Sequence, residues 1–174
     1  MSTSNITRHA NPEIILGTPA VQRVLVALAA AQIEAEVIVH AEPTHSSQAA
    51  AEVLGIDVGQ IAKSVIFRAK TSDRVVLVIT SGANRVDEKR VAALIGEAIG
   101  KADAAFVKDR TGFSIGGVAP IGHLSPPLAL MDETLMRFDK VYPAAGHPNT
   151  GFAVDPLRLA EAAAARVCTV MGTR

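Results

Sequence analysis

The sequence predicts one compact domain of the mixed α/β (α+β) class, in which helices surround a mixed, mostly antiparallel sheet. Its 174 residues match the length of one ordinary domain, and a hydrophobic fraction of 49% is enough to build a core. Predicted strands outnumber the helices between them, and two of the strands flank a polar turn at residues 70–73. Such a hairpin requires antiparallel pairing, which argues against a doubly wound parallel sheet.

The helices are predicted from capping residues and from the spacing of apolar side chains. Thr18 and Pro19 suit the N-cap and first position of one helix, and Gly55 suits the end of another. The predicted helices cover residues 19–35, 48–54, 88–95 and 156–167. The polar, unpatterned start of the chain predicts a flexible tail over residues 1–17, followed by the domain over residues 18–174.

The strands are predicted from short runs of β-branched and other apolar residues. They cover residues 37–39, 61–68, 74–80, 104–107, 128–131, 141–142 and 152–154. Alternation along the second run puts Lys63 on the same face as Val65 and Phe67. A lysine there either extends along the edge of the sheet toward water or points into a pocket, where it could donate to a phosphate or carbonyl oxygen.

Charge and aromatic content limit the partners that the chain can have. The 17 basic residues balance 17 acidic ones, and only 3% of the residues are aromatic. Tight nonspecific binding of nucleic acid needs a basic excess, and modules that grip single strands need aromatic rings on which bases stack. Any contact with nucleic acid is therefore expected to be local and transient, and DNA binding is not expected.

Cysteine content and hydropathy indicate the compartment. One cysteine, Cys168, cannot form an internal disulfide, which fits a reducing compartment, and its apolar neighbours predict a buried structural thiol. The apolar run at residues 24–31 is interpreted as part of a helix, because it lacks the basic flank of a secretion signal and the length of a membrane span. A cytoplasmic location without membrane contact is expected.

The common catalytic signatures are absent from the sequence. Residues 60–64 end in Lys-Ser but carry Ala62 where a phosphate-binding loop needs glycine. There is no dinucleotide-binding glycine motif and no nucleophile elbow, and the five histidines form no zinc-binding pair. A hydrolase built from this chain would have to activate water without a metal or an obvious covalent nucleophile.

Residues 116–123, here called the glycine loop, contain three glycines and one proline. Glycine adopts backbone angles that other residues avoid, and it lets a ligand approach the peptide N–H groups closely. The segment is therefore either a tight turn between strands or a backbone cradle for a carbonyl oxygen or a small side chain.

Residues 145–151, here called the histidine turn, separate the last two predicted strands. Gly, Pro and Asn are typical of a turn, whereas His147 is not required for one. A loop histidine beside a sheet edge is a candidate acid–base or hydrogen-bonding group. The alternative, an ordinary turn residue, stays open.

Three segments of the chain resemble, in their order and spacing, those of the YbaK-like aminoacyl-tRNA deacylases. They are Lys63 with its neighbours, the glycine loop and the histidine turn. That family includes the editing domain of bacterial prolyl-tRNA synthetases, and the resemblance extends from about Thr18 to Val167. It implies a compact α/β domain around a mixed, partly barrel-like sheet. It also implies hydrolysis, without a metal or other cofactor, of the ester that joins an amino acid to the 3′ end of tRNA.

The resemblance also implies roles for individual residues. Lys63 would position the terminal phosphate or ribose of the tRNA, and His147 would help to set the size of the pocket. The family's Gly-x-x-x-Pro loop falls on Gly116–Pro120 within the glycine loop, and its backbone would hold the substrate carbonyl. The catalytic residues so implied are Lys63, Gly116, Gly117 and His147. The substrate-binding residues so implied are Ser64, Val118, Ala119, Pro120, Gly146, Asn149 and Thr150.

Two departures from the sequence patterns of the family leave open which amino acid the protein would remove from tRNA. Ser64 follows the lysine where alanine-specific members often carry Asn, and the histidine turn differs from the Gly-Gly-Lys-Arg-Gly type of the cysteine-specific members. The expected substrate is tRNA(Pro) carrying Ala, Cys, Ser or 2-aminobutyrate, bound transiently by a monomer or weak homodimer, with prolyl-tRNA synthetase as a candidate partner. Two alternatives remain, a non-catalytic module that binds tRNA ends or a synthetase, and a hydrolase of small-molecule esters.

Overall fold

A computed structural model describes residues 11–172, which form six α-helices, a six-stranded mixed sheet and a two-stranded sheet. The helices are α1 (Pro12–Leu16), α2 (Pro19–Ala30), α3 (Ser47–Leu54), α4 (Glu88–Ile95), α5 (Ala104–Thr111) and α6 (Pro156–Ala162). The strands are β1 (Ile38–Val39), β2 (Ile61–Ala69), β3 (Val75–Ser81), β4 (Ile99–Lys101), β5 (Leu128–Asp132), β6 (Tyr142–Pro143), β7 (Thr150–Gly151) and β8 (Arg166–Cys168). Within this part of the chain, every helix is too short or too polar to cross a bilayer.

All four predicted helix starts are confirmed to within one residue. Thr18 precedes α2 with an extended backbone, although α2 ends at Ala30 rather than near residue 35. The Ser46 hydroxyl accepts a hydrogen bond from the Ala49 N–H at 3.1 Å at the start of α3, and Asp87 does the same for α4. Gly55 ends α3 with φ of +67°, a left-handed conformation that glycine adopts without steric cost.

Two predicted elements are wrong. Residues 104–107 form the start of α5 rather than a strand, because Asp103 caps a helix there by accepting a hydrogen bond from the Phe106 N–H at 2.8 Å. The last helix, α6, ends at Ala162 instead of continuing to residue 167. The chain then enters β8, which gains parallel pairing with β5, and this contact overrides the helical preference of the alanine-rich segment.

Smaller differences concern the ends of the chain and the short strands. The predicted tail contains α1, which buries Ile15, and residues 1–10 lie outside the described part of the chain. The strand predicted at residues 152–154 is displaced, since its ladder lies at Thr150–Gly151, and β4 was not predicted. Cys168 is half-buried on β8 rather than fully buried, and desolvation raises the pKa of its thiol.

The large sheet has the order β4-β2-β3-β5-β8, with β6 paired to β2 beside β4. It is mixed, as expected, but antiparallel pairing does not predominate. The β2–β3 and β2–β4 pairs are antiparallel, and the β2–β6, β3–β5 and β5–β8 pairs are parallel. The predicted hairpin is confirmed, with register from Ala62 opposite Ser81 to Arg68 opposite Val75.

The outer edge of β2 is interrupted. β6 pairs with Ile61 and Ala62, and β4 pairs with residues 67–69. Between them, residues 63–66 have no strand partner on that side within the described part of the chain. Backbone groups and side chains at the middle of a core strand are thus left accessible.

The sheet is covered on both faces. Leu77 and Ile79 pack toward one apolar cluster that includes residues of α2 and α5, and Val76 and Val78 pack toward a second one beside α4. All four side chains are fully buried. Burial on both faces holds β2 and β3 rigidly, so the interrupted edge lies on a stable scaffold.

A buried carboxylate stabilises the end of this scaffold. Asp132 accepts hydrogen bonds from the Ser81 N–H (3.1 Å), the Thr80 hydroxyl (3.3 Å), the Asn84 amide (2.9 Å) and both the N–H and the hydroxyl of Thr134 (3.0 and 2.8 Å). Burial acts to raise the pKa of the Asp132 carboxyl, but the hydrogen bonds outweigh it and leave the pKa below its ordinary value of 3.8.

We expect Asp132→Asn to lower the free energy of unfolding by about 1–3 kcal/mol at neutral pH, because an amide N–H₂ would face groups that donate. A carboxylate whose folded pKa is lowered stabilises the fold above its unfolded pKa, and this contribution is lost as the pH falls through the folded pKa. Urea denaturation should therefore show a difference from wild type that shrinks in acid. Asp109→Asn, at an exposed position of α5, is the matched control, and an undiminished difference in acid would contradict the prediction.

Candidate active site

The interruption in the edge of β2 opens into a cavity of about 420 Å³, within the size range of sites for small ligands. Its walls come from β2, from the segment before α3 with α3 itself, from the glycine loop, and from β6 with the histidine turn. The lining residues include His40, His45, Ser47, Lys63, Ser64, Ile66, Val107, Gly116, Val118, Tyr142, Pro148 and Thr150. Segments that are far apart in the sequence therefore meet at one place.

Lys63 is an exposed residue of β2 that lines this cavity. It lies opposite Thr80 in the β2–β3 ladder, and Thr80 is bound to the buried carboxylate of Asp132. No carboxylate lies within salt-bridge distance of Lys63 among residues 11–172. Its ammonium group is therefore available to an anionic or carbonyl oxygen of a ligand, on a strand whose position is well held.

Ser64 follows on the other face of the strand and also lines the cavity. Its hydroxyl oxygen is inaccessible to solvent and has no hydrogen-bond partner in the described part of the chain. A buried hydroxyl without a partner costs about 1–3 kcal/mol, so such groups are usually satisfied by a ligand or a water.

The glycine loop is held at its base by Arg23 from α2. The Arg23 Nε donates to the Gly122 carbonyl at 3.1 Å and its Nη2 donates to the Gly112 carbonyl at 2.7 Å. The guanidinium carbon also lies 5.2 Å from the centre of the Phe113 ring. Within the loop, the Nε2 of His123 donates to the Ala119 carbonyl at 2.7 Å, so the loop has one defined conformation.

The structure separates the backbone donors of the glycine loop into one that is occupied and two that are available. The Gly117 N–H donates to the Ser114 carbonyl at 3.0 Å and is therefore occupied. The N–H groups of Gly116 and Val118 donate to no group within residues 11–172, and both residues line the cavity. A cradle for a ligand oxygen would use these two amides.

Gly117 has a different role, which is to let the glycine loop touch the histidine turn. A Cβ added at Gly117 would lie 2.9 Å from the His147 Cα and 3.0 Å from the Pro148 Cδ. A Cβ added at Gly116 would make only an ordinary contact, 3.9 Å from the Pro148 Cγ, but the φ of +92° there favours glycine.

The histidine turn is closed by its own hydrogen bonds. The Thr150 hydroxyl accepts from the N–H groups of Ala145 and His147, each at 3.2 Å, and donates to the His147 carbonyl at 2.7 Å. The Nδ1 of His147 accepts the Asn149 N–H at 3.1 Å, and burial lowers the pKa of this imidazole. His147 thus shapes the turn through its hydrogen bonds, and Pro148, Thr150 and Gly151 are the residues of the turn that line the cavity.

Sequence reasoning missed His40, a buried histidine that lines the cavity directly after β1. Its N–H donates to the Asn149 carbonyl at 2.7 Å, and desolvation lowers the pKa of its imidazole. A Cβ at Gly151 would lie 3.9 Å from the His40 Nε2, so the ring lies against β7. The sequence signal that could have identified His40 is its position, as a polar residue directly after the apolar run at residues 37–39.

The structure divides the predicted site residues into two groups. Those that line the cavity are Lys63, Ser64, Gly116, Val118 and Thr150. The others are outside the lining, and of these Gly117, Ala119, Pro120 and Asn149 are buried, whereas Gly146 and His147 are half-buried. Within residues 11–172, no group of three His, Cys, Asp or Glu side chains is arranged to hold a metal ion.

The fold and the cavity define a class of protein, a mixed α/β domain whose ligand site combines a strand lysine with a glycine loop at an interrupted sheet edge. The aminoacyl-tRNA editing domain family matches residues 41–162, and the chain belongs to that family. The matched range contains Lys63, the glycine loop and the histidine turn. The resemblance to the YbaK-like proteins is therefore confirmed, and family membership supports an editing function.

Individual relatives agree with this assignment. An uncharacterized protein of Bacillus subtilis (strain 168), YwhH, is 35% identical over 112 residues, which are 64% of this chain and 71% of that protein. The crystal structure of a candidate trans-editing enzyme for prolyl tRNA synthetase is 32% identical, with a TM-score of 0.84 over 90% of this chain and 99% of that one. The structure of the hypothetical protein APE2540 is 27% identical, with a TM-score of 0.79 over 86% and 99% of the two chains.

Proposed function

We propose that the protein hydrolyses the ester bond of mischarged aminoacyl-tRNA, and that its substrate is tRNA(Pro) carrying a small amino acid. The observation that carries the proposal is the cavity at the edge of β2 in a chain of the editing-domain family. It is lined by Lys63, Gly116 and Val118, and within residues 11–172 the lysine has no carboxylate partner and the two amides have no acceptor. The similarity to a candidate trans-editing enzyme for prolyl tRNA synthetase supports the choice of tRNA.

The reaction needs few catalytic groups. Water adds to the ester carbonyl carbon, and the negative charge that develops on the carbonyl oxygen requires hydrogen-bond donors. The N–H groups of Gly116 and Val118, two lining residues, are the candidates for this role. The intermediate then expels the ribose oxygen, which takes up a proton and leaves as a hydroxyl group on the tRNA. Because the ester is activated, orientation of water by the substrate and the backbone is sufficient.

Lys63 supplies the positive charge of the site. Its exposed position at the cavity suits a contact with the terminal phosphate or ribose of the tRNA. The remaining lining is largely apolar, with Ile66, Val107 and Val118 among it, which suits a short side chain. A pocket of this kind distinguishes only weakly between side chains of similar size and shape. We therefore expect the protein to remove several small amino acids and to reject larger ones.

The proposal is tested by deacylation of tRNA(Pro) charged with Ala, Cys, Ser or 2-aminobutyrate, with correctly charged Pro-tRNA(Pro) as the control. Release of one or more of the small amino acids, with little release of proline, is the expected result. Binding of these tRNAs without turnover would instead identify a binding module. Turnover of simple esters without turnover of any aminoacyl-tRNA would identify a small-molecule hydrolase.

We also propose that catalysis proceeds without a metal, and therefore expect full deacylase activity after exhaustive dialysis against EDTA. The basis is the composition of the cavity lining. It includes His40 and His45, but no acidic or cysteine side chain that could join them as a metal ligand. Activity should be compared before and after chelation, and again after zinc or magnesium is added. Loss on chelation with recovery on metal addition would contradict the prediction.

A further inference from the structure

We propose that the open edge of β2 binds the terminal adenine base of the tRNA through the backbone of Ser64 and Ile66. This inference rests on the proposed function and names the part of the substrate that this edge would hold. The observation behind it is the gap at residues 63–66, where β2 has no strand partner on the side away from β3 within the described part of the chain.

The hydrogen bonds at the two ends of β2 show which backbone groups face the gap. In an antiparallel pair, successive residues direct their N–H and C=O groups alternately toward the partner strand and away from it. The Ile61 carbonyl accepts a hydrogen bond of 2.8 Å, and the Ala69 N–H donates one of 2.9 Å, each with a backbone group directly beyond an end of β3. The odd-numbered residues of β2 therefore face β3, and the backbone groups of Ser64 and Ile66 face the gap.

These backbone groups are unpaired. The carbonyl of Ser64 and the N–H groups of Ser64 and Ile66 have no hydrogen-bond partner within residues 11–172. Both residues are half-buried, and because the Ser64 Oγ has no contact with solvent, the accessible surface of Ser64 belongs to its other atoms. Unpaired backbone groups in the middle of a core strand are expected to bind a ligand or water.

The cavity extends along the whole gap. Its lining contains residues 61–66 of β2, both residues of β6 at one end of the gap, and Ala102, directly after β4, at the other end. A peptide strand added in this place would be blocked on both sides, because β6 and β4 already pair with β2 there. The occupant is therefore a compact group that enters through the cavity.

The chemistry of the edge favours a nucleobase. A substrate carbonyl only accepts hydrogen bonds and an ammonium group only donates them, so either would leave part of the edge unpaired. A base carries a donor and an acceptor side by side, and bases at the ends of single-stranded RNA are commonly bound along such edges.

Adenine, the base at the 3′ end of tRNA, matches two neighbouring groups of the edge. Its exocyclic N6 amino group would donate to the Ser64 carbonyl, and its ring nitrogen N1 would accept from the Ile66 N–H. Lys63 directly precedes these residues, is exposed and lines the same cavity. Its positive charge would then lie near the ribose and phosphate of the same nucleotide.

The test titrates ¹⁵N-labelled protein with 3′-alanylamino-3′-deoxyadenosine, an amide in place of the reactive ester, and follows the backbone amides by NMR. Binding should shift the Ile66 amide signal and slow its hydrogen exchange, whereas the Val65 amide, which faces β3, should change little. Analogues that carry 1-deazaadenine, or purine without the amino group, should bind at least roughly tenfold more weakly, because each leaves one backbone group unpaired. The 7-deazaadenine analogue is the matched control and should bind as adenine does, because N7 lies on the other edge of the base.

Equal binding of the adenine, 1-deazaadenine and purine analogues would overturn the proposal, as would an unchanged Ile66 amide in the complex. Weaker binding of the 7-deazaadenine analogue alone would also overturn it, because the base would then be held by its other edge. Protein that deacylates tRNA(Pro) but binds none of the analogues overturns this inference and leaves the proposed function intact. Protein that binds them with the expected selectivity but deacylates no tRNA overturns the proposed function and leaves this inference intact.

Discussion

Lys63→Ala should lower the rate of deacylation by a factor of about 10²–10³, the loss typical of removing one electrostatic contact to a reacting group. Lys63 is exposed and has no carboxylate partner within residues 11–172, so its removal should change the free energy of unfolding by less than about 0.5 kcal/mol. The measurements are single-turnover deacylation of a mischarged tRNA and urea denaturation of the same preparation.

Two controls separate the charge of Lys63 from its position. Lys63→Arg keeps the positive charge but changes its geometry, and it should retain part of the activity. Lys101→Ala removes another exposed lysine, from β4 on the strand next to β2, and should leave the activity near that of wild type. Wild-type turnover by a well-folded Lys63→Ala protein would remove this lysine from the mechanism.

Gly117→Ala should lower deacylation by a factor comparable to the loss of an oxyanion donor, about 10²–10³. The reason is contact, because the Gly117 amide is already bound to the Ser114 carbonyl. The added methyl group would lie 2.9 Å from the His147 Cα and force the glycine loop away from the histidine turn. The N–H groups of Gly116 and Val118 would move with the loop, and the variant should also lose about 1–3 kcal/mol of stability.

Neighbouring substitutions separate this contact from other effects. Val118→Ala removes buried side-chain atoms but keeps the backbone donor, so it should lose about 1–3 kcal/mol of stability and only a small part of its activity. Gly116→Ala causes no clash, since the new Cβ would lie 3.9 Å from the Pro148 Cγ, but the φ of +92° is strained for alanine and costs about 1–2 kcal/mol. If Val118→Ala is as inactive as Gly117→Ala, the side chains of the loop form the site, and the backbone cradle is the wrong description.

Much of the fold could be predicted because local signals were strong. The β2–β3 hairpin follows from alternation on each side of a polar turn, and α3 follows from Ser46 and Gly55 at its two ends. The errors occur where a local signal was overridden or overlooked. Residues 104–107 are apolar enough for a strand, but the Asp103 cap makes them a helix, and β8 exists only because β5 presents an edge for it to pair with.

The sequence by itself determined the class of fold, the family and the three segments that meet at the site, because caps, alternation and glycine-rich turns are local properties of the chain. Only the tertiary structure decided which residues of those segments line the cavity. His40 is in the lining and His147 is outside it, and within residues 11–172 the Gly117 amide is occupied whereas those of Gly116 and Val118 have no acceptor. These outcomes depend on contacts between residues that are distant in the chain, such as Asn149 with His40 and Gly117 with His147, and no local pattern encodes them.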